Sequence, residues 1–325
     1  MQDQIGILEA IRQIADEAEL QLRAFSSAVF SAIPLPAGPY AIFHHFAHTQ
    51  ERLKDTRRIL ERMWQNREQL HQIDQKTEVG RIDEHTHGTP PSGRLQILSQ
   101  EQRILTDYIK LDFEALYLFG TILLDQWSLM VAYSIGRQNP EEINFHRLVS
   151  LLEDQDYSGP LERLWVQQSE QMLWLNSHIR FYRNRFVAHS NRPWQRGFTR
   201  SLHGYDFRLF VPSPPGWENE EEISREINSL IQLAPQWLQD KPDDYWEKAR
   251  PRALLERLLD NIGNVQNRAD RDIINRLVSR TGISTPSFHT VGEKLLLFIR
   301  DATPILQEIA MSDIAQINVG RSENI

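Results

Sequence analysis

The sequence predicts a mainly α protein: a helical bundle with flanking helices and a small β-hairpin insertion. Three observations predict it. Apolar residues recur every three or four positions along most of the chain, the period of a helix that buries one face. Proline and glycine clusters cut this pattern into segments. One stretch alone, residues 197–211, alternates with the two-residue period of strands. At 325 residues the chain can bury a sizeable core. It has no cysteine, which excludes disulfides and thiolate chemistry and fits a reducing compartment.

Residues 1–76 are expected to form a helical hairpin. Ile5, Leu8, Ala15, Ala18, Leu22, Phe25 and Val29 make the first stripe, which Pro34, Pro36 and Gly38 stop. A second amphipathic segment runs from Tyr40 to Ile73 with Leu53, Ile59, Leu60 and Met63 among many charges. His44 and His48 share a face of it at a spacing of four, beside His45, and His85 and His87 follow. The H-E-x-x-H spacing of hydrolytic zinc sites is absent, so ordinary histidines and no metal are expected. Residues 77–94 hold Gly80, Gly88, Pro90, Pro91 and Gly93 and are read as a flexible loop.

Residues 95–193 are the expected core unit. One long helix from Leu95 to Gly136 carries Leu111, Ala115, Leu118, Ile122, Asp125, Leu129 and Ala132 at alternating spacings of four and three. Leu116, Phe119, Leu123, Trp127 and Met130 cover the flanking faces, so this helix should be enclosed on most sides. Asp125 falls inside the stripe and needs a partner, because an unpaired buried charge costs several kcal/mol. Pro140, Glu141 and Glu142 open a shorter helix through Phe145, Leu148, Leu151 and Leu152. A second long helix then follows through Leu161, Trp165, Met172, Leu175, Ile179 and Tyr182, and Asn191 and Pro193 end it.

Residues 194–217 form the expected β-hairpin around His203 and Gly204, closed by Pro212, Pro214 and Pro215. Residues 218–325 return to helices, at 218–239, 245–262, 270–280 and 290–310, with a frayed polar tail after Ile314.

Charge is where the sequence speaks about function. The net charge of −8 argues against a protein that coats nucleic acid nonspecifically, so any such contact must be local. Between residues 178 and 208 stand Arg180, Arg183, Arg185, Arg192, Arg196, Arg200 and Arg208, with His178, His189 and His203 and one acid, Asp206. A lysine-free arginine patch in an acidic chain points to an anion. The planar guanidinium matches phosphate with two hydrogen bonds and stacks on bases. Phe181, Tyr182, Phe186 and Trp194 interleave and either stack on unpaired bases or belong to the core.

Within the patch, Arg183-Asn184-Arg185-Phe186-Val187-Ala188-His189 resembles the signature of the HEPN superfamily, and especially its branch associated with abortive infection in bacteria. The helical order over roughly 95–193 is similar too; the flanking regions have no counterpart. The resemblance implies a HEPN-like helical bundle and metal-independent RNA cleavage, in which the 2′-hydroxyl attacks the adjacent phosphate. It also implies a role in phage defence or as a toxin. Arg183, Asn184 and His189 would be catalytic, with Arg180, Arg185, Arg192, Arg196 and Arg200 binding substrate and Asp125 supporting. No cofactor is implied; RNA, a second copy in a homodimer, and an antitoxin or defence-system protein are the implied partners.

Geometry adds a condition. Arg183 and His189 are six positions apart, ~240° on a continuous helix, so the helix must kink or end between them for both to meet one phosphate. The same residues also fit a noncatalytic HEPN-like module that binds nucleic acid or protein, or a plain helix-end ion pair of Arg183 with Asp125 or Glu114. The opening residues Met1 to Ala10 carry acids where an export signal would carry bases and an apolar run. No stretch of ~20 uninterrupted apolar residues stands out as a membrane span. A cytoplasmic protein with no membrane partner is the expectation.

Overall fold

Helix dominates this computed structural model. It describes residues 2–32, 40–87, 93–135, 139–154, 159, 161–183, 195–201, 204–211, 221, 225, 251–265, 267–280, 283–284 and 286–322. The described helices are α1 (Gln2–Ala32), α2 (Tyr40–His87), α3 (Gly93–Ser134), α4 (Phe145–Glu153), α5 (Glu162–Arg183), α6 (Pro251–Asp260), α7 (Arg268–Arg280) and α8 (Phe288–Ser322). Short 3-10 turns stand at Pro140–Glu142 and Ile262–Asn264. The strands β1 (Gln195–Ser201), β2 (Gly204–Val211) and β3 (Ile283–Ser284) make an antiparallel sheet in that order.

α2 packs along α3, α1 lies mainly along α8, and α8 reaches α5, α3 and α2. The buried apolar residues form one cluster running from Ile11 to Ala310. The segments 1–76, 95–193 and 218–325 therefore share a core rather than each closing its own. A lone amphipathic helix cannot cover its own stripe, and here Ile11, Ala15, Ala18 and Leu22 of α1 find their cover largely on α8. Charged pairs fix the same seams. Arg12 meets Glu61 at 2.9 Å between α1 and α2, and Arg300 meets Glu17 at 3.2 Å between α8 and α1.

The polar stretch expected as a loop over 77–94 is helix as far as His87. Gly80 is the one glycine or proline before that point, and Pro90 and Pro91 lie beyond it. Just ahead of this stretch Thr77 is buried and donates to the Ile73 carbonyl at 2.8 Å, and Gln102 of α3 donates to Asp74 at 2.6 Å. The helix expected to open at Pro140 is divided into a 3-10 turn and α4, which Asn144 caps by accepting from the Arg147 amide at 2.9 Å. The tail expected to fray after Ile314 continues α8 to Ser322.

α3 is enclosed only in its second half. Leu116, Leu123, Trp127 and Met130 are buried, whereas Ile97, Ile104, Tyr108 and Leu111 are exposed. α2 runs along both halves, through Asp74 with Gln102 and His45 with Gln126, and the second half gains a further neighbour where Trp127 packs on Phe298 of α8. By length and composition α3 is also apolar enough to cross a membrane, with an 18-residue window of mean hydropathy 1.4, although Glu114, Asp125 and Gln126 interrupt its apolar run. Of that window, 56 % is buried inside the protein. One acid in this helix, Asp112, is almost fully buried and takes the Arg62 guanidinium, whose Nε lies 2.9 Å from Oδ1. That carboxylate raises the pKa of Arg62.

The turn at Ile262–Asn264 seats the C-terminal helices on α5 through a close backbone approach. A Cβ built on Gly263 would stand 2.4 Å from the Glu170 carbonyl oxygen, which cannot swing aside as a side chain can. Gly263→Ala is therefore expected to destabilise the fold by about 1–3 kcal/mol in urea unfolding. Gly159→Ala, where nothing lies within 4 Å, should be neutral or slightly stabilising.

Candidate functional site

α5 presents two faces with different fates. Trp174, His178 and Tyr182, at intervals of four, are buried. Asn176, Ile179 and Arg183, at intervals of three and four, turn toward a pocket of about 220 Å³ between α3, the start of α4 and α5. Thr121 and Asp125 come from α3, Asn144 and His146 from the α4 start, and Asn176 and Arg183 from α5. Buried Leu124, Phe145, Leu175 and Ile179 back these polar groups.

Asp125 has the partner its place in the apolar stripe demanded, in two parts. Its Oδ1 accepts the Phe145 amide at 2.9 Å, which satisfies one of the unpaired donors of the first turn of α4. Arg183 supplies the charge. Burial is the largest influence on Asp125 and pushes its carboxyl above the ordinary carboxylate range, against the Phe145 hydrogen bond and the Arg183 charge, which pull it down. Opposite, His146 Nδ1 lies 3.2 Å from Asn176 Oδ1.

His178, counted in the sequence among the cations of the patch, belongs to the core. It is fully buried and stacks on Trp174 with ring centroids 3.9 Å apart. Nδ1 donates to the Trp174 carbonyl at 3.0 Å, and Nε2 has no hydrogen-bond partner among the described residues. Loss of hydration pushes its pKa down to about 3, with the nearby Lys294 charge adding to the effect against the Trp174 hydrogen bond. Asp260 Oδ1, 3.9 Å from Nε2 on a carboxylate that is itself half exposed, is too distant and too well hydrated to hold the proton there. Tyr182 is likewise core, its ring 5.3 Å from that of Tyr117, and no base can stack on it.

Of the residues the sequence singled out, the structure brings Arg183 and Asp125 together. Asn184, Arg185, His189 and Arg192 lie outside the described residues, as do His203 and any break of the helix between Arg183 and His189. Arg180 lies on α5, and Arg196 and Arg200 lie on β1 opposite Leu209 and Tyr205, with their side chains outside the described set. His44 and His48 do share a face, Nε2 to Nε2 at 3.1 Å, while His45 turns to Gln126. Among the described residues no group of three or more metal-ligating side chains gathers. Sequence reasoning missed Asn144, His146 and Asn176. The capping pattern of Asn144 ahead of an apolar run was legible, but the meeting of His146 with Asn176 requires the packing of α4 on α5.

Comparison with protein-family models, with curated proteins and with solved structures finds no match to this chain.

Two measurements follow from these environments. Asp125→Ala removes the acceptor of the Phe145 amide and should cost about 1–3 kcal/mol in urea unfolding, whereas Asp125→Asn, which keeps an acceptor oxygen, should cost less. His178 is neutral when folded but binds a proton near pH 6.5 when unfolded, so the unfolded chain takes up more protons as pH falls. Stability should drop between about pH 6.5 and 3, by up to about 1.4 kcal/mol per pH unit from this one group. His178→Phe should flatten that slope in urea titrations at pH 7, 6, 5 and 4; an unchanged slope would assign the acid sensitivity elsewhere.

Proposed function

We propose that this chain is a metal-independent endoribonuclease of the HEPN type, cutting RNA by attack of a 2′-hydroxyl on the adjacent phosphate. Its setting would be phage defence or a toxin–antitoxin pair. One observation carries the reading: Arg183, the arginine of the motif, lines a polar pocket beside Asp125, while Trp174, His178 and Tyr182 on another face of the same helix are buried in the core.

The chemistry suits the residue types. O2′ forms a bond to phosphorus and the bond to O5′ breaks, leaving a cyclic phosphate and a 5′-hydroxyl; no electron donor or acceptor is needed. Arg183 offsets the charge that builds on the phosphoryl oxygens. His189 moves a proton near neutral pH, and Asn184 orients one of these groups. Arg180, Arg185, Arg192, Arg196 and Arg200 hold the RNA backbone. A homodimer in which two motifs face each other completes this reading.

A noncatalytic HEPN-like helical module that binds nucleic acid or a protein partner is the second reading, while the closeness of Arg183 to Asp125 by itself fits a plain structural pair. RNA decay assayed with EDTA separates the two. Wild type should cleave, and His189→Ala and Arg183→Ala should each lose about 10²-fold or more. Equal decay by wild type and His189→Ala removes the catalytic claim. Salt-sensitive RNA binding that survives His189→Ala, without cleavage, establishes the module instead.

A further inference from the structure

His44 and His48 stand apart from the Arg183 pocket, none of whose lining residues comes from α2. They lie one turn apart on the outer side of that helix, His44 exposed and His48 half-exposed. Their Nε2 atoms are 3.1 Å apart while their ring centres are 4.3 Å apart, so each ring turns that nitrogen toward the other. Without an ion, a hydrogen between the two nitrogens accounts for the approach, whichever ring carries it. The inner side of the same turn is held. Ile42 and Thr49 are buried, and Thr49 donates to the His45 carbonyl at 2.7 Å. His45 itself reaches Gln126 of α3 at 2.8 Å and stacks on Tyr133. The backbone that carries His44 and His48 is therefore fixed by contacts in which neither of their rings takes part, and side-chain rotation alone is left to aim them.

A transition-metal ion takes an imidazole nitrogen at about 2.0–2.1 Å. Two such bonds closing over 3.1 Å enclose an angle of about 95–100° at the ion, between the right angle of square-planar or octahedral coordination and the wider angle of a tetrahedron. Imidazole suits Zn²⁺, Ni²⁺ and Cu²⁺, and Cu²⁺ binds tightest. The Nδ1 of His48 lies 3.9 Å from the carboxylate of Glu51, which also meets Arg52 at 3.3 Å; a carboxylate on that side is the kind of group that orients a ligating imidazole. The missing H-E-x-x-H spacing, and the lack of a group of three ligands among the described residues, speak against a hydrolytic centre, which needs three protein ligands and an open position. They do not bear on a two-nitrogen clamp. We infer that His44 and His48 form such a clamp for a divalent transition-metal ion, with water completing the coordination. The ion replaces the hydrogen between the rings, staples one turn of α2 beside its contact with α3, and keeps positions open to a further ligand from solution. The site shares no residue with the Arg183 pocket, so it stands independently of the ribonuclease reading.

Calorimetric titration of the full-length, untagged chain with the chlorides of Cu²⁺, Ni²⁺ and Zn²⁺, after EDTA treatment and dialysis, tests this. His44→Ala, His48→Ala and His71→Ala, the last on the same helix but outside the pair, are titrated alongside. Wild type should bind one ion per chain, Cu²⁺ most tightly. His44→Ala and His48→Ala should each weaken binding about tenfold or more, because loss of either nitrogen ends the chelate, and His71→Ala should match wild type. Saturating Ni²⁺ should raise the thermal midpoint of wild type and move that of neither His44→Ala nor His48→Ala, since the paired geometry exists only in the folded helix. The paramagnetic resonance of the Cu²⁺ complex should show coupling to both imidazole nitrogens. No saturable binding below about 1 mM, or binding that neither variant weakens, overturns the inference. Binding weakened in one variant alone assigns the ion to that histidine and some other group, and overturns it too. Where a variant does not fold, the resonance of wild type decides, and coupling to a single nitrogen is the adverse result.

Discussion

The hydrogen bond from the Phe145 amide to Asp125 joins three helices at one carboxylate. Asp125 sits on the core helix α3, its hydrogen bond sets the start of α4, and its charge faces the last described residue of α5. A carboxylate in such a place is expensive to desolvate, and two unlike partners keep it there. The backbone amide is fixed by the helix it begins, whereas the guanidinium can change partner. Displacing Arg183 toward an incoming anion would leave Asp125 with the hydrogen bond alone and with a stronger tendency to take up a proton.

Around that point the architecture is a packing solution for long helices. α3 buries its second half against neighbours on several sides, and α1 and α2 would be unsupported without α3 and α8. Most helical stability in proteins comes from such tertiary burial of an amphipathic face rather than from propensity. This explains why α8 persists through Pro304. Pro304 deprives the helix of one amide, yet Ile299, Ala302, Ile305 and Leu306 around it are buried and hold the rod together.

Much of this was legible in the sequence, for identifiable reasons. The three-and-four spacing placed α1, α3 and α5 because their stripes are dense, and the demand for a partner at Asp125 followed from the cost of burying a charge. The extent of α2 and α8 was hidden, because polar residues such as those of 77–87 carry no periodic signal while a helix built on packed turns can extend through them. The assignment of His178 to the cationic patch failed for a related reason. Charge at neutral pH depends on hydration, and the sequence does not say that Trp174 and the residues around it exclude water from that ring. The exposure of Leu111 on an otherwise apolar helix was invisible too, since periodicity marks a face without naming what lies against it.

The pairing of α1 with α8 has a consequence for how the chain reaches this state. Arg300 and Glu17 bond across 283 positions of sequence, and the apolar side of α1 is covered largely by the last helix described. Contacts this distant form late and slow the search for the native state. At ~5–20 residues per second on the ribosome, α1 and the apolar side of α3 wait for tens of seconds before α8 exists to cover them. During that interval the nascent chain offers its inner surfaces to chaperones and to other copies of itself. The stripe of α1 thus finds its cover only once α8 has been made.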